Sequence, residues 1–188
     1  MDSSRFDDDE SFDVTIARDR GQADRESRER LAWALNGKGD LLARSGDRDG
    51  AFACYEEAAG LWGDGSAGEL QAPVSRALAR EAGLLLAAGR EQEAIAVVDD
   101  LCVRFGEASE RAVLANVALG LRQKEIALGE LGRFDEQIVV AEGASERLLE
   151  ALPGDASEQL RGVIARHADL VRWSVELEGA LEEEPDGE

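Results

Sequence analysis

Histidine is nearly absent from this chain of 188 residues: His167 is the only one, and Cys54 and Cys102 are the only thiols. One imidazole cannot build a histidine metal cluster. His167 also sits in a helical pattern beside Ile164 and Val171, a place for packing or an edge role rather than for a catalytic triad. The two cysteines lie inside helical patterns too far apart in sequence for a zinc-ligand pair, and they make no disulfide framework. They read as small buried apolar fillers. Strand signals are equally scarce, with one Tyr, few Thr and no alternating Val/Ile runs between turns. No apolar run approaches the roughly 20 residues of a membrane helix. The first ten residues, Met1 to Glu10, are acidic where a secretory leader is basic and apolar, so the expected location is cytoplasmic.

Positive charge is the minority, with 21 Lys and Arg against 41 Asp and Glu, for a net charge of −20. A protein that neutralises phosphates needs a basic face, so neither nucleic acid nor a membrane is expected as partner. Lys38 and Lys124 are the only lysines, and Arg supplies nearly all of the positive charge. The glycine-bearing stretch Gly60 to Gly65 follows a helical pattern, not a strand, and so lacks the phosphate-binding form. Carboxylate pairs abound, but among 41 acidic residues such pairs are expected on solvated faces. No enzyme, cofactor or metal is expected.

What the chain does have is helix-forming Ala, Leu, Glu, Arg and Gln throughout, and a period. Gly46, Gly89 and Gly132 stand 43 residues apart, and each closes a similar phrase. A fixed period of roughly 20–50 residues marks a stacked-repeat protein. The spacing predicts an all-α chain with helix-to-helix turns at Ser45–Asp47, Gly89–Arg90 and Gly132–Arg133. Seven helices are expected, in three pairs plus a final single one from about Asp155 to Glu183. Residues 1–24, a dense acidic cluster with scattered Phe6, Phe12, Val14 and Ile16, read as a mobile tail, with a short docking element around Phe12 to Ile16 as the alternative. Residues 25–183 form the array, and 184–188 a second acidic tail. Gly63–Ser66 reads as a break, and Pro73 suits a helix's first turn.

The repeated phrases resemble the tetratricopeptide repeat. Its large, small and apolar positions fall on Leu35, Gly39, Leu42, Gly46, Ala51, Tyr55 and Ala58 in the first unit. In the second they fall on Leu78, Ala82, Leu85, Gly89, Ala94, Val98 and Leu101. The third gives Leu121, Glu125, Leu128, Gly132, Gln137, Ala141 and Ala144, with Glu125 and Gln137 in the two small-residue positions. Ile164, Ala168 and Val171 continue the register into a capping helix. The period exceeds the roughly 34 residues usual for the family. The resemblance implies a right-handed superhelical solenoid of three helix-turn-helix repeats plus a C-terminal capping helix.

The resemblance also implies that the first helix of each pair lines a concave groove. Residues placed there are Trp33, Asn36, Asp40, Arg76, Arg80, Leu86, Arg122, Gln123, Ile126, Arg166, Asp169, Arg172 and Trp173. Of these, Trp33, Asn36, Arg76, Arg80, Arg122, Arg166 and Trp173 form the expected partner-binding set. The Arg side chains suit an acidic peptide or a C-terminal carboxylate. The family's Lys/Asn carboxylate clamp is not reproduced, because its positions hold Asn36 and Asp40. The expected function is a non-enzymatic scaffold that holds a peptide or helix of another protein in its groove. Two alternatives stay open: an acidic mimic or immunity-type inhibitor of a basic partner, and a signalling-peptide sensor. The last helix spreads apolar residues over about half its circumference, more than a cap needs. Leu170, Leu177 and Leu181 are therefore candidate contacts of a homodimer, or of a partner docking on this helix.

Overall fold

Each of the three periodic glycines takes the left-handed conformation, with φ of 90° at Gly46, 70° at Gly89 and 67° at Gly132. A residue with a Cβ is strained there, so glycine ends the first helix of a pair and lets the chain reverse. The N–H groups of Asp47, Arg90 and Arg133 then bond back to the carbonyls of Leu42, Leu85 and Leu128. All three expected turns are present.

The computed structural model describes residues 9–61 and 70–182. These form nine helices and no strand: α1 (Asp9–Asp19), α2 (Arg25–Ser45), α3 (Arg48–Gly60), α4 (Gln71–Ala87), α5 (Glu91–Phe105), α6 (Arg111–Glu130), α7 (Phe134–Ala151), α8 (Glu158–Ala165) and α9 (His167–Glu182). Asp24, Asp47 and Ser157 cap α2, α3 and α8 by accepting from the backbone N–H groups of Ser27, Gly50 and Leu160. Pro73 sits in the first turn of α4, where its missing N–H costs no helical bond. The expected break at Gly63–Ser66 lies outside the described residues.

Packing follows chain order: each helix from α1 to α6 packs on the next, and α7 packs on both α8 and α9. First helices also meet directly, α2 on α4 and α4 on α6. The main core joins Phe12, Leu35, Tyr55, Val74, Leu101 and Val117 across these elements. Gly39 permits the closest approach within the first pair, since a Cβ there would lie 2.6 Å from the Tyr55 ring. Cys54 is buried and Cys102 half-buried, and both thiols are free.

Two expectations are corrected. The stretch from residue 9 to 19, read as part of a mobile tail, is helix α1, with Phe12 and Ile16 buried against α2. Gly37 supplies the seat, because a Cβ there would run into the Phe12 ring. Asp19, at the end of α1, accepts hydrogen bonds from Arg18 (2.8 Å) and Arg30 (2.9 Å), which hold its carboxyl well below the usual range. Phe12 lies one period before Tyr55, and Ile16 one period before Ala59; both counterparts are buried in α3. The single final helix is likewise two, α8 and α9, interrupted at Arg166. Its backbone keeps the αR conformation, and the Leu170 N–H still bonds to the Arg166 carbonyl.

Candidate functional site

The first helices bring together part of the expected binding set. Trp33 and Asp40 lie on α2, and Arg76 and Arg80 one turn apart on α4. Arg76 donates to Asp40 through a short ion pair, and Arg80 approaches the same carboxylate at 3.3 Å. The Tyr55 hydroxyl donates at 2.7 Å to Asp40 Oδ1, the oxygen that Arg80 approaches, while Arg76 holds Oδ2. Burial alone pushes the Asp40 carboxyl up, but the bonds from Tyr55 and Arg76 outweigh it and hold the group ionised below its ordinary value. The guanidinium of Arg76 also lies 6.0 Å from the centre of the Trp33 ring, within reach of a cation–π attraction. Both Arg side chains remain partly exposed.

One carboxylate therefore serves two guanidiniums and a hydroxyl. Each guanidinium carries five donors; Arg76 Nε, itself buried, has no acceptor among the described residues, and the exposed part of each guanidinium is what a ligand can reach. The cluster keeps one surplus positive charge and unfilled donor capacity, in a chain of net charge −20. Its surface is cationic with an indole at its edge.

The rest of the set is placed otherwise. Asn36 is buried, and its amide donates to the carbonyls of Ala32 (2.8 Å) and Pro73 (2.9 Å). It ties α2 to α4 and is closed to a ligand. Asn116 makes the corresponding tie from α6, donating to Ser75 Oγ at 2.9 Å. Arg122 is held by Glu125 at 2.7 Å, and Glu125, buried on α6, also meets His167 Nε2 at 2.9 Å. His167 in turn lies against Arg122. Glu125, in a small-residue position of the repeat, thus bonds within a three-membered network between α6 and α9. Gln137 instead packs over Gly129, where a Cβ would come within 2.9 Å of its amide nitrogen. Arg172 pairs with Glu142 and Asp169. Leu86 is half-buried, Ile126 exposed.

Arg166 and Trp173 sit on the final helices, both exposed, and Arg166 has no carboxylate partner among the described residues. The four expected Arg thus fall into three places: a shared carboxylate for Arg76 and Arg80, an internal network for Arg122, and open surface for Arg166. The side chains of Leu177 and Leu181 lie outside the described part of the structure.

A feature the sequence reading passed over is a cleft of about 440 Å³ between α3, α4 and α5, lined by Glu56, Leu78, Glu81, Val97, Asp100 and Arg104. Burial pushes the Glu81 carboxyl from 4.5 up to about 7. Glu56 and Asp100 add to that shift, and Arg104 opposes it. The described residues hold no cluster of three or more metal-ligating side chains, and none of their helices is long and apolar enough to cross a membrane. Comparison of the chain with protein-family models, curated proteins and solved structures finds no match.

Proposed function

We propose that this chain is a non-enzymatic protein-interaction scaffold that receives an acidic or carboxylate-terminated peptide of another protein on the surface of its first helices. In this reading the helix pairs stack as a right-handed solenoid similar to the tetratricopeptide repeat, and α2, α4 and α6 form its concave side. Direct packing of α2 on α4 and of α4 on α6 supports it, because the more closely packed layer of a curved array is the inner one.

The observation that carries the reading is Asp40 shared between Arg76 and Arg80 beside Trp33. A ligand carboxylate there takes up the spare donors in a bidentate pair, and the indole covers its apolar neighbour. Inside a negative shell, the local surplus of positive charge steers such a group to this point. The receptor is thus Trp33, Arg76 and Arg80, without Asn36 or Arg122.

Fluorescence anisotropy with labelled acidic peptides, carrying free or amidated C-termini, tests this. Arg76→Gln and Arg80→Gln should each weaken binding at least about tenfold, since a charge-assisted pair contributes about 1.5–3 kcal/mol. Arg133→Gln, where the ion-pair partner among the described residues is Glu136 in the next turn, should leave binding unchanged. Undiminished binding by the Arg76/Arg80 double variant refutes the receptor.

The cleft around Glu81 favours a second reading, an acidic mimic or inhibitor of a basic partner, because it offers three carboxylates against one Arg. That reading requires Arg-rich peptides to bind, and Glu56→Gln with Asp100→Asn to abolish their binding.

A further inference from the structure

The final helices carry two apolar faces, and α7 covers only one. Ile164, Ala168 and Val171 are buried, the last two in a cluster with Ala141 and Ile138 of α7. Leu160, Val163, Leu170 and Trp173 are 45%, 58%, 60% and 62% exposed. Val163, Arg166, Leu170 and Trp173 recur at the three- and four-residue steps that line one side of a helix. The period makes this exposure anomalous. Leu160 stands one, two and three periods after Val117, Val74 and Leu31, and Val163 after Gly120, Ala77 and Ala34; all six are buried. An apolar strip of this kind on a charged protein marks a contact surface.

We propose that a second copy of this chain covers that face, through an antiparallel, two-fold pairing of α8–α9 with its counterpart. Charge on the strip selects this occupant. Arg166 and Glu176 are both exposed, lie on the same side of the final helices and have no ion-pair partner among the described residues, so the strip carries both halves of an ion pair that a second copy can complete.

The strip is also self-complementary. When Leu170 of one copy lies level with Trp173 of the other, Arg166 comes within about one residue's rise, about 1.5 Å along the axis, of Glu176 of the second copy. The two-fold repeats that contact, so each copy's exposed arginine gains a carboxylate and each indole packs on a leucine. This pairing involves none of Trp33, Arg76 or Arg80, and so stands or falls apart from the carboxylate receptor.

Sedimentation equilibrium of the full chain, from about 1 µM to 1 mM, tests the pairing. The wild type should associate to a dimer. Trp173→Glu and Leu170→Glu, at sites already more than half exposed, should be monomeric with unchanged helical circular dichroism. Arg166→Glu should raise the dimer Kd at least about tenfold, and Arg166→Glu combined with Glu176→Arg should restore it, because the two-fold exchanges both partners of the pair. A wild type that stays monomeric across the range, with the face left for some other protein, overturns the proposal. So does a dimer that survives Trp173→Glu. Failure of the charge exchange to restore the dimer refutes the antiparallel pairing.

Discussion

Replacing Glu81 by Gln should stabilise the protein above pH 7 and do almost nothing below pH 4.5. Glu81 points into the cleft between α3, α4 and α5, where burial, Glu56 and Asp100 lift its carboxyl from 4.5 to about 7. The folded state holds this proton more tightly than the unfolded chain does. The group therefore carries no penalty at pH values below 4.5, erodes stability between 4.5 and about 7, and costs its full amount above. At about 1.4 kcal/mol per pH unit the interval sets a ceiling of about 3 kcal/mol. Relaxation and water in an open cleft reduce this to about 1–2 kcal/mol. Gln keeps the shape and loses the charge, so Glu81→Gln should gain about 1–2 kcal/mol at pH 8, a rise in Tm of about 2–8 °C for a chain of this size. Urea unfolding at pH 8 and pH 4, followed by far-UV circular dichroism, measures both ends of the range. A gain equally large at pH 4, or a loss at pH 8, refutes the argument and makes Glu81 a group whose ionised form has a partner.

Phe12→Ala should detach α1 from α2 at a cost of about 3 kcal/mol, seen as loss of amide-exchange protection confined to residues 9–19. Removing His167 takes one of two partners from buried Glu125; His167→Ala should cost about 1–3 kcal/mol in thermal melts, and Glu125→Gln should make that cost disappear. Gly89→Ala forces a Cβ into a φ of +70° and should destabilise by about 1–2 kcal/mol, whereas Gly60→Ala, at a helical glycine with open space around it, should be neutral or stabilising.

The helices and their turns were legible in the sequence because both are local. Ala, Leu and Glu favour helix residue by residue, and only glycine passes easily into the left-handed turn, so three glycines 43 residues apart mark three chain reversals. Helix α1 was legible too, in Phe12 one period before Tyr55, but the acidic residues around it imitate a solvated tail. Docking on Gly37 and the bonds from Arg18 and Arg30 to Asp19 offset that charge. The partners of the arginines were not legible. With 41 carboxylates in the chain, spacing along a helix names several acceptors for each guanidinium. The choice falls to contacts between helices, where a few ångströms and the loss of water separate a strong pair from a screened one. Tertiary packing thus gave Asp40 to both Arg76 and Arg80, enclosed Glu125 with Arg122 and His167, and left Arg166 on open surface. The same packing buried Asn36 as a tie between α2 and α4, although its place in the repeat pointed to the groove. Periodicity settled where the chain turns, and the approach of helices distant in sequence settled which charges are paired and which remain exposed.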